Sequence, residues 1–370
     1  MVGVAILGAG IFARNGTVPH SNPNPAIGHS TLTHAGSEHL PAVEAIPSLD
    51  LKAIYSRSQA SAESLASAST SSPTLYYDSP SSPGSSLDDL LARDDISAVV
   101  ICLPILAQPD VIRKAWKAGK HVISEKPVAK DVATAKQLMA EYAALPSPKP
   151  VWAVAENYRF MEAVTVAADK VREIGGETTF FSFDMFTLVK MDNKYFNTTW
   201  RKVPQYQGGF LLDGGVHFVA ALRHILAAAG DKIASVKAST CLLQPQLLPV
   251  DTMHAVLTTT SGRSGSFNVS FGSAVRGGFR LAVATTAGEV EMNPSEVKVT
   301  TLDSEGNKKE EIISIVKSAG VKQEVQAWAD SLAGGKVNEK QSPEEALRDL
   351  DVLESLLKAG ETHATIEVDA

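Results

Sequence analysis

The 370-residue chain carries a net charge of -7, with 44% hydrophobic and 20% charged residues, an ordinary balance for a globular protein. It is longer than one core of roughly 100 to 200 residues, so two domains are expected, here 1–156 and 157–370. The mild acidity calls for neither a nucleic-acid nor a membrane partner, and no apolar run approaches the roughly 20 residues of a membrane helix; two distant cysteines, Cys102 and Cys241, read as buried small hydrophobes in a cytoplasmic protein without a disulfide framework.

Val2–Leu7 is a β-favouring run that passes straight into Gly8-Ala9-Gly10-Ile11-Phe12-Ala13, the strand, glycine turn and helix start of a dinucleotide-binding unit. Gly8 and Gly10 let the backbone N–H groups of the turn, and of the helix start at Ile11 and Phe12, approach a pyrophosphate, and Ala13 permits close helix packing. The stretch from His20 to His39 is rich in Asn, Pro, Ser and His and lacks apolar periodicity, which predicts a surface loop. Its histidines, His20, His29, His34 and His39, are irregularly spaced with no cysteine among them, so no metal is expected there.

A second strand is predicted at 49–55, then a helix and a long variable loop through the serine-rich region 56–86. An apolar strand at 96–104, a helix at 111–118 ended by Gly119, a strand at 121–124, a helix at 131–145 and a strand at 151–156 complete an alternation that means parallel βαβ units. Beyond 177 the texture changes to long segments at 178–187, 233–243, 253–260, 264–272 and 279–286, the pattern of a predominantly antiparallel sheet. A helix starting near Gly214 interrupts them, and helices at 321–333 and 343–359 close the chain.

Cofactor choice falls at the end of the second strand, where an acid would hold the adenosine ribose 2'-hydroxyl of NAD. The chain reads Tyr55-Ser56-Arg57-Ser58 instead. The Ser56 hydroxyl and Arg57 guanidinium suit a 2'-phosphate, which favours NADP(H); the alternative is a solvated arginine at a helix start. Lys126, in Glu125-Lys126-Pro127, follows an apolar strand, so its ammonium can enter the crevice at the strand's carboxyl end and polarise a substrate oxygen; a salt-bridged surface lysine is the alternative. Asp213 and His217 stand four apart and, with a helix starting near Gly214, project from one face of its first turn. A helix amino terminus disfavours imidazolium, so His217 could accept a hydroxyl proton while Asp213 orients the ring or the substrate; an N-cap and a core histidine are the alternatives. His224 reads as structural, and the sequon Asn197-Thr198-Thr199 would go unused in a cytoplasmic protein.

The segments GAGIFA, LPILAQ, AGKHVISEKP, AENYRF, NTTWR and DGGVH occur in an order that resembles the Gfo/Idh/MocA oxidoreductases, named for glucose-fructose oxidoreductase, inositol dehydrogenase and rhizopine catabolism. Fungal NADP-dependent members look most similar, through GIFAR, TTWR and GGFLLDGGVH. The resemblance implies an amino-terminal Rossmann domain with a parallel sheet. It also implies a carboxyl-terminal α/β domain whose large, open, mainly antiparallel sheet makes homodimers or homotetramers. Lys126 would be the catalytic lysine, His217 the acid/base and Asp213 a substrate ligand; Asn157 and Tyr158 would line the crevice, with Trp200 and Arg201 toward the nicotinamide. Leu103, Pro104, Gln108 and Glu125 would contact the cofactor, Gln108 standing where many members carry histidine, and the Lys126–Pro127 peptide is expected to be cis. The implied function is NADP(H)-dependent hydride transfer to or from a hydroxyl or carbonyl of a sugar, polyol or related small molecule. A regulator on the same fold and a redox-neutral NAD-dependent glycosidase are the alternatives, and the presence of both Lys126 and His217 argues against the regulator.

Overall fold

Residues 1–10, 39–79, 83–193 and 196–369 are described by the structure, a computed structural model. They fall into two compact units, one made of the described parts of 1–157 together with 319–347, the other of those of 158–318 and 348–369.

In the first unit β1 (Val2–Leu7), β2 (Leu49–Ser56), β3 (Thr74–Tyr77), β4 (Ala98–Ile101), β5 (His121–Glu125) and β6 (Trp152–Ala155) form a sheet in the order β3-β2-β1-β4-β5-β6. Every pairing is parallel, and the continuous Val, Ile and Ala runs of β1 and β4 are buried on both faces, as a parallel sheet covered by helices requires. Strand order reverses at β1, which puts the ligand crevice beyond the carboxyl ends of β1 and β4. β4 stops short of the predicted 104, because Pro104 leads into a 3-10 turn, Ile105–Ala107, and then directly into α4 (Gln108–Lys117). Shorter connections carry α3 (Leu87–Leu91) before β4 and α5 (Val132–Ala143) before β6.

Two expectations for this unit need correcting. The serine-rich region holds α2 (Gln59–Ala66), capped by the Ser58 hydroxyl, but also β3, a run of four residues too short to stand out among its polar neighbours. His39 does not end a loop: it opens α1 (His39–Glu44) and is buried, while His20, His29 and His34 lie outside the described residues. The domain expected to run from 157 to 370 also yields a segment to this core. Val321, Val325, Trp328 and Ala329 of α9 (Val321–Gly334) pack in one cluster with Val4, Ile6 and Val43, because the apolar stripe of α9 completes that core.

The second unit carries a nine-stranded sheet. Its strands are β7 (Thr178–Phe186), β8 (Ile233–Cys241), β9 (Thr252–Thr259), β10 (Ser264–Ser270), β11 (Gly278–Thr285), β12 (Gly288–Asn293), β13 (Glu296–Leu302), β14 (Lys308–Ser314) and β15 (Ile366–Glu367). They lie in the order β14-β13-β12-β11-β7-β10-β9-β8-β15. Neighbours are antiparallel except β7 and β10, which run parallel. Period-two burial on β9, with Met253, Ala255 and Leu257 inside and His254 and Val256 outside, shows a sheet with one buried face. Two helices, α6 (Glu162–Ile174) and α8 (Gly209–Ala228), pack together and against the sheet. Among the described residues only α8 is long and apolar enough to cross a membrane, and 72% of that window is buried in the protein. From Arg348 onward α10 (Pro343–Thr362) also belongs here, with Asp349 buried and accepting hydrogen bonds from Arg159 and Arg223. Cys241 is exposed at the end of β8, against the expectation that both thiols are buried; Cys102 is buried.

Candidate functional site

Gly8 follows β1 with φ of 109°, and a Cβ there would stand 2.4 Å from the carbonyl oxygen of Cys102, just past β4. Only a residue without a side chain lets the two strand ends approach this closely. The Gly8 N–H donates to the Tyr55 carbonyl at 2.8 Å, joining β2 to the same turn. Gly10 has more room, since a Cβ there would have its nearest neighbour, the same Cys102 oxygen, 3.7 Å away. Ile11 and Phe12 lie outside the described residues.

Leu103 and Pro104 follow Cys102, and Gln108 sits on the first turn of α4. Gln108 is 1% exposed, and neither the nitrogen nor the oxygen of its amide has a partner among the described residues. Leaving a buried polar group unpaired costs about 1 to 3 kcal/mol. A glycine turn at the topological switch and an orphaned amide at the start of the helix that follows β4 fit a dinucleotide cofactor, which brings both donors and acceptors.

At the end of β2 Tyr55 and Ser56 are buried and Arg57 is exposed. The Tyr55 hydroxyl donates to Asp78, 2.9 Å from each carboxylate oxygen, and burial together with that carboxylate pushes the phenol well up. An acid therefore does stand beside the end of β2, delivered by the chain after β3. The expectation of none rested on β2 alone; the signal was Tyr77-Asp78, closing the short strand that the serine-rich region hid.

β5 delivers Glu125 and Lys126, both buried, and the Lys126–Pro127 peptide is cis as the resemblance implied. His39 Nε2 lies 2.7 Å from Glu125 Oε1, and donor atoms of His39, Cys102 and Glu125 all lie within 4.8 Å of one another. Burial, with the Glu125 charge nearby, pushes the Cys102 thiol well up. The geometry is that of a histidine–carboxylate pair beside a thiol. Glu324 of α9 is also buried in this unit, and burial followed by the charges of Glu125 and Glu156 holds it well above the usual carboxylate range. Asn157 is buried and donates Nδ2–H to the Ala319 carbonyl at 2.7 Å.

In the second unit α8 starts at Gly209 and not near Gly214. Gly208 and Gly209 have φ of 65° and 52°, and a Cβ on Gly209 would lie 2.3 Å from the Leu248 carbonyl oxygen, so this pair opens the helix. Gly214 is instead a packing notch, since a Cβ there would lie 2.5 Å from the Phe271 ring. Asp213 and His217 are therefore on later turns, Gly208 is the N-cap position, and the field of the helix terminus fades before it reaches His217. They still share a face.

Asp213 is buried and accepts from Arg201 Nε at 2.7 Å; Arg201 belongs to α7 (Thr199–Lys202), and its guanidinium lies 4.0 Å from the centre of the Trp200 ring. Arg201, expected toward the nicotinamide, is thus tied to Asp213. The His217 ring stacks on Tyr158 with centroids 4.5 Å apart and planes at 15°. This unit accordingly gathers Tyr158, Trp200, Arg201, Asp213 and His217, with a half-buried imidazole on the same helix face as a charge-compensated carboxylate. Tyr206, which no sequence motif singles out, joins them, its ring 6.0 Å from that of Trp200.

Comparison with known proteins agrees with this architecture. The pattern of the Gfo/Idh/MocA oxidoreductase family, NAD-binding Rossmann fold, matches residues 2–146, and that of its C-terminal alpha/beta domain matches 176–368. The dehydrogenase FPY6 of Fusarium mangiferae is 44% identical over 357 residues, covering 96% of each chain. D-xylose 1-dehydrogenase (NADP(+)) 2 of Haloferax volcanii is 28% identical over 89% of this chain and 95% of its own. Among solved structures, an oxidoreductase from Thermotoga maritima superposes with a TM-score of 0.80 at 26% identity, covering 99% of this chain and 98% of that one.

Proposed function

This chain belongs to the Gfo/Idh/MocA oxidoreductase family and is an NAD(P)-dependent dehydrogenase, and from that premise we propose that it moves a hydride between NADP(H) and a secondary or anomeric hydroxyl, or the matching carbonyl, of a sugar, polyol or related small molecule. The observation that carries this reading is His217 beside the Arg201-compensated Asp213, on a chain that also buries Lys126 at the end of β5.

When bound, the cofactor supplies the hydride acceptor or donor at nicotinamide C4. The turn at Gly8 and Gly10, with Ile11 and Phe12, would hold its pyrophosphate, Ser56 and Arg57 its 2'-phosphate, and Leu103, Pro104, Gln108, Glu125 and Arg201 its remaining polar and apolar edges. Lys126 polarises the substrate oxygen and stabilises the negative charge that develops there. A ring nitrogen of His217 takes the hydroxyl proton in oxidation and returns it in reduction. Asp213 orients the substrate, with Asn157, Tyr158 and Trp200 binding it. Preference for NADP rests on Ser56-Arg57 and on the engagement of the neighbouring Asp78 by Tyr55; a relative named for NADP(+) and D-xylose supports both the cofactor and the sugar class. Cytoplasmic location and a homodimer or homotetramer built on the nine-stranded sheet belong to the same proposal.

The test is nicotinamide absorbance with purified protein, NADP or NADPH and a panel of aldoses, polyols and small aldehydes. His217→Ala is expected to lower kcat by about 10²- to 10⁴-fold while NADPH affinity is kept. Tight NADPH binding by a wild-type protein that turns over nothing on the panel would overturn the proposal.

A further inference from the structure

Tyr206 lies between α7 and α8, and its hydroxyl is buried with no hydrogen-bond partner among the described residues. A phenylalanine would fill the same volume without the cost of an unpaired buried hydroxyl, so nothing within the described fold uses this group. Its position is defined by two neighbours: the ring packs near Trp200, which the Arg201 guanidinium holds from 4.0 Å, and the hydroxyl feels the charges of both Asp213 and Arg201. Burial and the Asp213 carboxylate push the phenol up, so it stays protonated and acts as a donor. Asp213 stands one helical turn from His217 on the same face, so a group near Asp213 is offset along the helix from the one His217 serves.

We propose that Tyr206 is a specificity-determining, substrate-contacting residue whose hydroxyl donates a hydrogen bond to an oxygen on the carbon next to the one oxidised, so that the enzyme selects substrates with vicinal oxygens over simple alcohols and aldehydes. The inference rests on the reading of His217 and Asp213 as the substrate end of the site. An oxygen-bearing neighbour satisfies the orphaned hydroxyl; a methylene leaves it unpaired, and that difference is the source of selectivity.

The test compares wild type and Tyr206→Phe with NADP and D-glucose, 2-deoxy-D-glucose, 3-deoxy-D-glucose or D-xylose, with NADPH and propanal as the substrate lacking a neighbouring oxygen. The expected result is a KM for D-glucose and D-xylose raised about 5- to 10-fold by the substitution, kcat changed by less than about 2-fold, and one deoxy sugar whose already high KM does not respond. NADPH affinity and the thermal midpoint should not fall, since the change removes an unsatisfied group. Equal effects on parent and both deoxy sugars, an unmoved KM, or a lowered midpoint with uniform loss of kcat would each overturn the inference. Turnover of propanal but of no sugar would sink it while leaving hydride transfer standing, and no turnover of anything would sink both.

Discussion

Arg57 is exposed at the end of β2, where nothing in its packing demands an arginine. If it pairs with a 2'-phosphate, Arg57→Ala should raise KM for NADP by about 10- to 100-fold, the size of a charge-assisted hydrogen bond, and change KM for NAD by less than about 2-fold. Equal effects on the two cofactors would make it a solvated side chain. Lys126, Asp213 and His217, the groups proposed to carry the chemistry, could be picked out in the sequence by residue type and short spacing. Asp78 and Tyr206 were not: Asp78 reaches Tyr55 only through the pairing of β2 with β3, and Tyr206 acquires meaning only once Trp200 and Asp213 are beside it.

The two glycine pairs of the GGFLLDGGVH segment show how far an element can be read from its own letters. Either pair can open a helix, and the choice fell to Gly208–Gly209 because the chain there adopts positive φ against Leu248, whereas Gly214 makes room for Phe271. Within α9 the apolar stripe was visible, but the burial of Glu324 on it was not, since that depends on the packing of α9 in the first unit. This helix carries a pH-dependent liability. The folded-state pKa of Glu324 is raised above the unfolded value of 4.5, so its contribution to stability is fully present below that pH and is lost as pH rises through the folded value. Glu324→Gln has no charge to form. Its thermal midpoint should gain on wild type as pH rises above about 4.5, by about 2 to 4 °C for each kcal/mol of ionisation cost. A gap independent of pH would show that Glu324 does not ionise reluctantly.

For the whole molecule, the return of α9 to the first unit means that the core beneath the nucleotide site is not complete until residues past 319 have been made. Trp328→Ala should therefore cost about 3 to 5 kcal/mol in the unit that binds the cofactor, read as an earlier melting transition of the kind that added NADPH shifts upward. If the transition that responds to NADPH is unmoved, α9 is not part of that core. The sequence alone determined what local pattern can carry: a strand running into a glycine turn, parallel units followed by a long antiparallel sheet, and the candidate groups for moving a proton. Those features depend on side-chain periodicity, on glycine's freedom and on intrinsic reactivity, all properties of neighbours along the chain. Only the tertiary structure decided that Asp213 is neutralised by Arg201, that β3 brings an acid to the end of β2, that α8 opens at Gly209, and that α9 belongs to the first core. Each of those follows from packing between segments distant in sequence, where burial, steric fit and charge compensation are settled together.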